Sequence, residues 1–192
     1  MRTATASPSR NVHNVASGWL SRRWYYTARS HRAYSVRQIS PGDRRLLAEF
    51  ALQLDHSTAE RNGERHADGL RELSDMLFDR VLAGGSDMAV GFAALESTGA
   101  GDRIVGVSAY APSSIDDARF TIAVAATHRG EQVGRILLST LVRHAKRVGV
   151  RTLSGEMVWS NRPMQLLAQA LGFAVVPVEG DRNLRRLILG LK

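Results

Sequence analysis

The sequence predicts a single α/β (α+β) domain within 192 residues, and three observations lead to this prediction. The run Phe120–Ala126 is apolar and rich in β-branched residues, which is typical of a mostly buried strand. A glycine-containing loop and an amphipathic helix follow directly, with Leu137, Leu141 and Ala145 at helical spacing on one face. Shorter strand-like and helix-like segments complete the order β-α-α-β-β-β-α-β-α-β-β.

The composition is that of a globular protein with an uneven distribution of charge. Hydrophobic residues make up 44%, and no apolar run approaches the length of a membrane span. The absence of cysteine excludes disulfides, a thiolate nucleophile and a cysteine metal site. Of the 26 Lys and Arg residues, seven fall within residues 1–42, which contain no acid, and this leaves 19 against 18 acidic residues elsewhere. The net charge of +8 therefore belongs mostly to the N-terminal segment.

Residues 1–33 are expected to form a basic tail, and residues 34–192 the domain. The tail is rich in Ser, Thr, Ala and Arg and lacks hydrophobic periodicity, apart from the aromatic residues Trp19, Trp24, Tyr25 and Tyr26. Three interpretations remain open: a disordered, solvated extension or upstream start, a contact to nucleic acid or another anionic surface, and an organelle transit peptide. We expect the domain to be a cytoplasmic monomer or homodimer that contacts neither membrane nor nucleic acid.

The first half of the domain is predicted to begin with one strand and two helices. Tyr34–Ile39 alternates, and Ser40–Asp43 supplies a helix start with Pro41 in the first turn and an acid near the positive end of the dipole. The first helix is expected to reach about Leu54. After a polar segment, a second helix is expected over residues 70–82, closed by a pair of glycines.

The second half adds strands around the central strand and its helix. Residues 88–95 and 103–111 are expected to pair as a hairpin through the glycine-containing turn at residues 97–101. After the central helix, Gly149 marks a break. The remaining strands are expected over residues 152–158, 174–178 and 184–191.

The segment from Arg129 to Gly134 lies between a strand and a helix, where unpaired backbone N–H groups form a site for an anion such as a phosphate. The P-loop pattern is excluded, because no Lys-Ser or Lys-Thr pair follows the glycines. Gly130 and Gly134 are wrongly spaced for the dinucleotide pattern G-x-G-x-x-G, although Glu156 lies where its ribose-binding acid is expected, so that interpretation stays open. A third pattern, [RQ]-x-x-G-x-[GA], is matched at its first and last positions, with Gln132 at the middle glycine.

The continuation of the chain favours the third pattern. Together with the loop, the segment GEMVWSNRPMQLLAQALGF at residues 155–173 resembles the GNAT superfamily of acetyl-CoA-dependent N-acyltransferases. Within that superfamily it looks like the acyltransferase domain of bacterial Pat-type protein lysine acetyltransferases. The resemblance extends from about Tyr34 to Phe173 and is strongest from Phe120 onward. It implies the GNAT fold, a mixed, mostly antiparallel central sheet with helices on both faces.

The resemblance also implies transfer of an acyl group from acetyl-CoA to an amine, without a metal. The strand at residues 120–126 would diverge from the strand at 152–158, so that the pantetheine arm pairs with backbone groups exposed in the gap. The pyrophosphate would bind N–H groups of residues 130–135, and an N–H near Val124 would polarise the thioester carbonyl. The residues expected to contact the coenzyme are Val124, Ala125, Ala126, Arg129, Gly130, Glu131, Gln132, Val133, Gly134, Arg135, Asn161 and Met164.

The sequence departs from the family pattern at the catalytic base. A lysine amine, with a pKa of about 10.4, must lose a proton before it attacks. Pat-like domains usually carry a glutamate early in the central strand, but the matching position here is Arg119, and Ala168 takes the place of a tyrosine acid used by many GNAT enzymes. Of the nearby acids Asp116, Asp117 and Glu156, we favour Glu156, because its strand faces the acyl-binding strand. The alternative for Glu156 is a structural carboxylate bonded to the backbone or to an arginine.

The histidines are expected to have structural or solvent-exposed positions. His56 and His66 lie in a polar segment without an HExxH motif or a cysteine partner, so both are expected to be solvated. His128 is expected to pack against or cap the loop, and His144 to lie on the surface of the helix that follows.

Three hypotheses of different classes remain. The first is an active N-acetyltransferase whose acceptor is a protein lysine, favoured by the Pat-like resemblance, or a small amine. The second, motivated by Arg119 and Gln132, is a GNAT-fold module that binds acyl-CoA or a partner protein without catalysis. The third is a nicotinamide-nucleotide-binding domain, motivated by the glycine loop and Glu156.

Overall fold

A computed structural model describes residues 23–27, 32–58, 73, 75–82 and 89–192, and an eight-stranded sheet runs through them. The strands are β1 (Arg23–Thr27), β2 (Ala33–Gln38), β3 (Val90–Thr98), β4 (Gly101–Pro112), β5 (Asp117–Val124), β6 (Thr152–Val158), β7 (Ala174–Val178) and β8 (Asp181–Gly190). The α-helices are α1 (Arg44–Thr58), α2 (Val133–Arg147) and α3 (Arg162–Ala170). No helix in these ranges is both long enough and apolar enough to cross a membrane.

The strands lie in the order β1-β2-β3-β4-β5-β6-β8-β7. Neighbouring strands pair antiparallel, except that β5 and β6 run parallel. The connections account for this pattern, because α2 crosses over between β5 and β6 whereas a two-residue turn joins β3 to β4. The expected mixed, mostly antiparallel sheet is therefore confirmed.

Helices cover both faces of the sheet, and each face has its own core. On one face α2 packs on β3, β4 and β5, with Leu137 and Leu141 fully buried. On the other face α1 and a π-helical segment at Met76–Leu82 pack against β4, with Leu47 and Phe50 buried. Truncating any of these leucines or the phenylalanine to alanine costs about 3 kcal/mol, because each fills a closed space.

Most predicted elements are confirmed, and the bounds of β6 and β7 are as predicted. The central strand differs: β5 ends at Val124, because Ala126–His128 form a 3-10 turn. The predicted second helix lies partly outside the described residues. Its described part is a π-helix at Met76–Leu82, preceded by helical residues at 73 and 75.

The sheet begins before the expected domain start at residue 34. β1 pairs antiparallel with β2, so that Tyr26 lies opposite Tyr34 and the two rings stack with centroids 5.2 Å apart. Trp24 packs against Phe92 of β3, with centroids 6.5 Å apart. Part of the aromatic cluster assigned to the tail is therefore an edge strand, whereas residues 1–22 and 28–31 lie outside the described ranges.

A buried carboxylate holds the turn before α1. Asp43 accepts hydrogen bonds from both terminal nitrogens of Arg37, at 2.6 and 2.7 Å, and from the backbone N–H of Ser40 at 2.8 Å. Burial alone would raise the pKa of Asp43, but these donors outweigh it and hold the pKa below its usual value. The predicted helix start is confirmed as a 3-10 turn at Pro41–Asp43 that leads into α1.

The expectation of a surface position for His144 is wrong. Its side chain is buried, and its ring packs against Phe92 and Tyr110. Its Nδ1 lies 2.9 Å from the hydroxyl of Tyr110, and burial lowers the pKa of His144 to about 4, which keeps the ring neutral. His144 follows Leu137 by seven residues, so it belongs to the buried stripe of α2.

Candidate active site

β5 and β6 form a short parallel ladder and then separate. Three residue pairs join them, from Asp117 opposite Thr152 to Arg119 opposite Ser154. β5 continues alone on this side to Val124, while β6 remains paired with β8. The gap expected between these two strands is therefore present, and it opens towards the loop that leads into α2.

A close contact defines the closed end of the gap. The ring of Phe120 lies against Gly155 of β6, where an added Cβ would come within 2.8 Å of a ring carbon. Phe120 also packs against Phe173, with ring centroids 5.3 Å apart. Glycine at position 155 thus permits the close approach of the aromatic ring just beyond the last paired residues.

The backbone of β5 alternates between its two neighbours. Ala125 donates its N–H to the carbonyl of Val105 across 2.9 Å, which places the hydrogen-bonded pairs with β4 at the odd-numbered residues. The backbone groups of Phe120, Ile122 and Val124 therefore point away from β4, towards the gap.

This alternation changes the set of backbone groups that a coenzyme arm could use. Val124 faces the gap, whereas the N–H of Ala125 is used within the sheet. Ala126 belongs to the 3-10 turn, and its carbonyl accepts the N–H of Arg129 at 3.4 Å. Ile122 was absent from the residues chosen by sequence, although counting back two residues from Val124 along the strand finds it.

The turn before α2 contains two residues in the left-handed region. Gly130 has a φ of 83° and Gln132, at the N-cap of α2, a φ of 64°. Within the described ranges Gln132 is the one non-glycine residue with positive φ, a conformation that costs about 1 kcal/mol when a Cβ is present. The N–H groups of Val133, Gly134 and Arg135 follow in the first helical turn, where a helix offers them no internal acceptor.

The charged side chains of this loop differ in exposure. Arg129 and Arg135 are exposed at either end of it, whereas Glu131 is half-buried. The loop therefore combines N–H groups at a helix N terminus with two exposed cations, which is an arrangement suited to a phosphate.

His128 joins the loop to the sheet. Its buried ring has Nδ1 2.9 Å from the hydroxyl of Thr127 and Nε2 3.3 Å from the carboxylate of Glu96 on β3. Arg103 donates to the same carboxylate at 2.7 Å, and the ring of Tyr34 packs edge-on against the histidine. Of the two expected roles, packing against or capping the loop, the structure shows a packed ring, which is buried against the sheet.

α3 approaches the same place from the other side. Asn161 caps this helix, its side-chain oxygen accepting the N–H of Met164 at 3.2 Å. A Cβ placed on Gly134 would lie 3.6 Å from a methyl of Leu167 and 3.7 Å from a methyl of Val124. The end of β5, the first turn of α2 and the helix α3 therefore converge at the gap.

Glu156 lies on β6, two residues beyond its last pairing with β5, and two arginines hold its carboxylate. Oε1 is 3.0 Å from Arg186 on β8, and Oε2 is 3.4 Å from Arg119 on β5. This environment agrees with the alternative interpretation of Glu156 as a structural carboxylate bonded to an arginine. Continued register places Glu156 beside the gap, level with Thr121.

The two other candidate acids lie at the end of the β5–β6 ladder that is farther from the gap. Asp117 accepts a hydrogen bond from the hydroxyl of Ser114 at 2.8 Å, and Asp116 forms an ion pair with Arg151 at 3.4 Å. Both are farther from the gap than Glu156 along the direction of the strands.

The remaining candidates add little to the site. Ala168 is buried in α3. The side chain of His56 and the whole of His66 lie outside the described residues. In the part of the chain that the structure describes, no three His, Asp or Glu side chains converge closely enough to hold a metal ion.

A mixed sheet whose parallel pair parts beside a helix N terminus is the arrangement that the resemblance to acyl-CoA-dependent N-acyltransferases implies. The model of the acetyltransferase (GNAT) family matches residues 53–173, which is more than half of the chain. The chain belongs to the acetyltransferase (GNAT) family and is accordingly an N-acetyltransferase.

Solved structures share this fold. The GNAT domain of S. lividans PAT is similar with a TM-score of 0.63 at 19% identity, over 91% of this chain and 98% of that one. The structure of yncA from Salmonella typhimurium, solved with its cofactor acetyl-CoA, is similar with a TM-score of 0.59 at 20% identity, over 83% of this chain and 94% of that one. The ribosomal-protein-S5-alanine acetyltransferase of Vibrio fischeri is similar with a TM-score of 0.64 at 13% identity, over 88% of this chain and 97% of that one. At these identities, each likeness shows a shared fold.

Proposed function

We propose that this protein transfers an acetyl group from acetyl-CoA to an amine, with a protein lysine as the acceptor. The observation that carries the proposal is the gap beside β5, which the backbone groups of Ile122 and Val124 face. Coenzyme A offers an amide chain that can pair like a strand, followed by a pyrophosphate that suits a helix N terminus. The Pat-like resemblance supports the lysine acceptor.

The pantetheine arm would bind along the open edge of β5. Its amides would pair with Ile122 and Val124 in the manner of an added strand. The side-chain oxygen of Asn161 caps α3, so its amide nitrogen would donate to a carbonyl of the arm. Met164, half-buried on the same helix, would contact the arm through apolar atoms.

The pyrophosphate would bind at the turn that precedes α2. It would accept hydrogen bonds from N–H groups of residues 130–135, where the helix dipole favours negative charge. Arg129 and Arg135 would add charge-assisted hydrogen bonds from the solvent side.

Acetyl transfer requires a neutral amine to attack the thioester carbonyl. Glu156 would accept the proton of the ammonium group, and the freed nitrogen would form a bond to the carbonyl carbon. The N–H of Val124 would donate to the carbonyl oxygen as it gains negative charge. The carbon–sulfur bond then breaks, the coenzyme leaves as a thiol with the second amine proton, and the acceptor keeps the acetyl group as an amide.

Glu156 is proposed as the base because of its position. Continuing the register beyond Arg119 and Ser154 brings Glu156 level with Thr121, about 10 Å along the strand from Val124. The glutamate side chain and one bridging water span such a distance. Arg119 and Arg186 would keep the carboxylate in place while the acceptor binds.

Turnover by the purified protein tests this proposal. Acetyl-CoA is mixed with lysine peptides, polyamines or free amino acids, and release of the coenzyme thiol is followed alongside mass spectrometry of the acceptor. Acetyl-lysine formed at the rate of thiol release supports the proposal. Calorimetry should show binding of acetyl-CoA and CoA but not of NAD.

Two results would count against it. Binding of acetyl-CoA without turnover of any amine would establish the non-catalytic module instead. Turnover of a free amine, with an unchanged lysine acetylome in cells lacking the gene, would remove the protein acceptor while leaving the acetyl transfer in place.

A further inference from the structure

The two faces of β6 and β8 differ in what covers them. Leu153 and Met157 of β6 are buried in the core that α2 and α3 share. The alternate residues Ser154, Glu156 and Val158 point to the other face and remain partly exposed. The residues of β8 opposite these three are Ile188, Arg186 and Leu184. We refer to these six residues, with Arg119 of the neighbouring β5, as the open face.

The charged cluster on the open face carries two cations and one anion. Arg186 and Arg119 reach the carboxylate of Glu156 at 3.0 and 3.4 Å, so two guanidinium groups share it. The arginine side chains are 48% and 44% exposed, so a ligand in solution can reach them. In the described contacts Arg186 binds Glu156 through one nitrogen, Nη2, whereas a guanidinium has five N–H donors and suits a second carboxylate.

The cluster lies directly before the gap. Arg119 and Ser154 form the last pair of the β5–β6 ladder, and the backbone that would hold the thioester begins beyond them. Ile122 lies three residues farther, about 10 Å along the strand. A carboxylate one or two residues from an acceptor lysine in an extended peptide covers such a distance.

We propose that the acceptor is an amine that carries a carboxylate nearby, and that Arg186 and Arg119 bind this carboxylate. The inference rests on the proposed function and narrows it to lysines in an acidic sequence. Arg186 donates paired hydrogen bonds to the acceptor carboxylate, while Glu156 orients both guanidinium groups. A lysine flanked by Arg or Lys meets like charge at the same place, so it is a poorer acceptor.

The first experiment compares three blocked peptides that differ only beside one lysine, where Glu, Gln or Arg residues flank it. We expect kcat/KM to fall in the order Glu, Gln, Arg, with about a tenfold step between Glu and Gln, mostly through KM. A second comparison uses lysine acetylated on its α-nitrogen, with either a free C-terminal carboxylate or a C-terminal amide, so that the side-chain amine remains the acceptor. A preference for the free carboxylate there, without a preference among the peptides, would assign the site to a free amino acid.

Variants at Arg186 separate recognition from a general loss of activity. R186E should invert the preference towards the Arg-flanked peptide, and R186Q should remove the preference without inverting it. R186K keeps the charge and should retain part of the preference. The matched control is R151E, because Arg151 is exposed on the far side of the ladder, where it pairs with Asp116. R151E should keep the wild-type order of peptides.

The outcomes distinguish this inference from the function on which it rests. Equal kcat/KM for the three peptides and for the two lysine derivatives overturns the anionic acceptor and leaves the acetyltransferase intact. The same holds if R186E and R186Q retain the wild-type preference while still binding acetyl-CoA in calorimetry. Binding of acetyl-CoA with no turnover of any acceptor overturns both.

Discussion

Arg119 lies opposite Ser154 in the last pair of the β5–β6 ladder, and its guanidinium extends towards the gap to Glu156, 3.4 Å away. The position at which Pat-like domains usually carry a glutamate therefore presents a cation here. The carboxylate beside the gap comes instead from the neighbouring strand. This exchange of charge across two strands underlies both the proposed base and the proposed acceptor.

Substitutions of Gly134 test the proposed phosphate site. Gly134→Asp places a carboxylate at the N terminus of α2, where it would repel the pyrophosphate, so we expect acetyl-CoA to bind at least about tenfold more weakly. Gly134→Ala is the matched control, because its added Cβ would meet Leu167 and Val124 only at 3.6 and 3.7 Å. Calorimetry measures both affinities. Unchanged binding by the aspartate variant would show that the loop has been assigned wrongly.

Glu156→Gln keeps the size of the side chain and removes the base. Turnover should fall by about 10²–10⁴-fold while acetyl-CoA binding stays nearly intact. The loss should shrink at high pH, where more of the amine is already neutral. Steady-state rates between pH 7 and about 10 measure this trend. Asp117→Asn is the control at the closed end of the ladder, and a larger loss there than in Glu156→Gln would move the base to Asp117.

Gln132 and Gly130 form a reciprocal pair of backbone tests. Gln132→Gly removes the Cβ from a residue with φ of 64°, so we expect stability to rise by about 0.5–1 kcal/mol. Gly130→Ala adds a Cβ at φ of 83° and should lower stability by about 1 kcal/mol, although nothing lies within 4 Å of that atom. Urea unfolding measures both changes. The two changes in stability are expected to have opposite signs, and a destabilised Gln132→Gly would contradict the left-handed turn.

The buried position of His144 should make the stability of the folded protein sensitive to acid. Burial lowers its pKa to about 4, below its ordinary value of 6.5, so the unfolded chain binds the extra proton first as the pH falls. The stabilising contribution is complete above pH 6.5 and is lost between 6.5 and about 4, by about 3 kcal/mol in all. Urea unfolding at a series of pH values measures the slope.

Two variants identify the source of that slope. His144→Gln can still accept a hydrogen bond from Tyr110 but has no proton to gain, so its stability should change much less over the same range. Tyr110→Phe keeps the buried histidine and should keep the slope. An unaltered slope in His144→Gln would assign the acid sensitivity to another group.

Local patterns predicted the strands and helices that have clear periodicity and clear ends. Residues 152–158 alternate between apolar and polar and end in a turn, so β6 was predicted with its observed bounds. The same reasoning failed for His144, because a polar residue was assigned to the surface although Leu141 lies three residues before it on the same stripe. The helical spacing of His144 from Leu141 indicated a buried position, whereas its polar side chain had suggested an exposed one.

The orientation of the gap required the register of two distant strands. The resemblance implied that β5 diverges from β6 and that residues 124–126 expose backbone groups, but not the alternation that leaves Val124 facing the gap and Ala125 paired within the sheet. That depends on Ala125 pairing with Val105, twenty positions earlier in the chain. The contacts of Glu156 were unpredictable for the same reason, because Arg186 lies opposite it only through the pairing of β6 with β8.

β1 covers the edge of β2. The N–H and C=O groups of β2 that pair with Arg23–Thr27 would otherwise face solvent, and a row of unpaired groups beside apolar side chains invites another chain to add a strand. A shortened protein that starts at Tyr34 would also uncover the aromatic surface that Trp24 and Tyr26 now pack against. Such a protein should self-associate through the exposed edge of β2 during expression, whereas one that starts before Arg23 keeps β2 paired with β1.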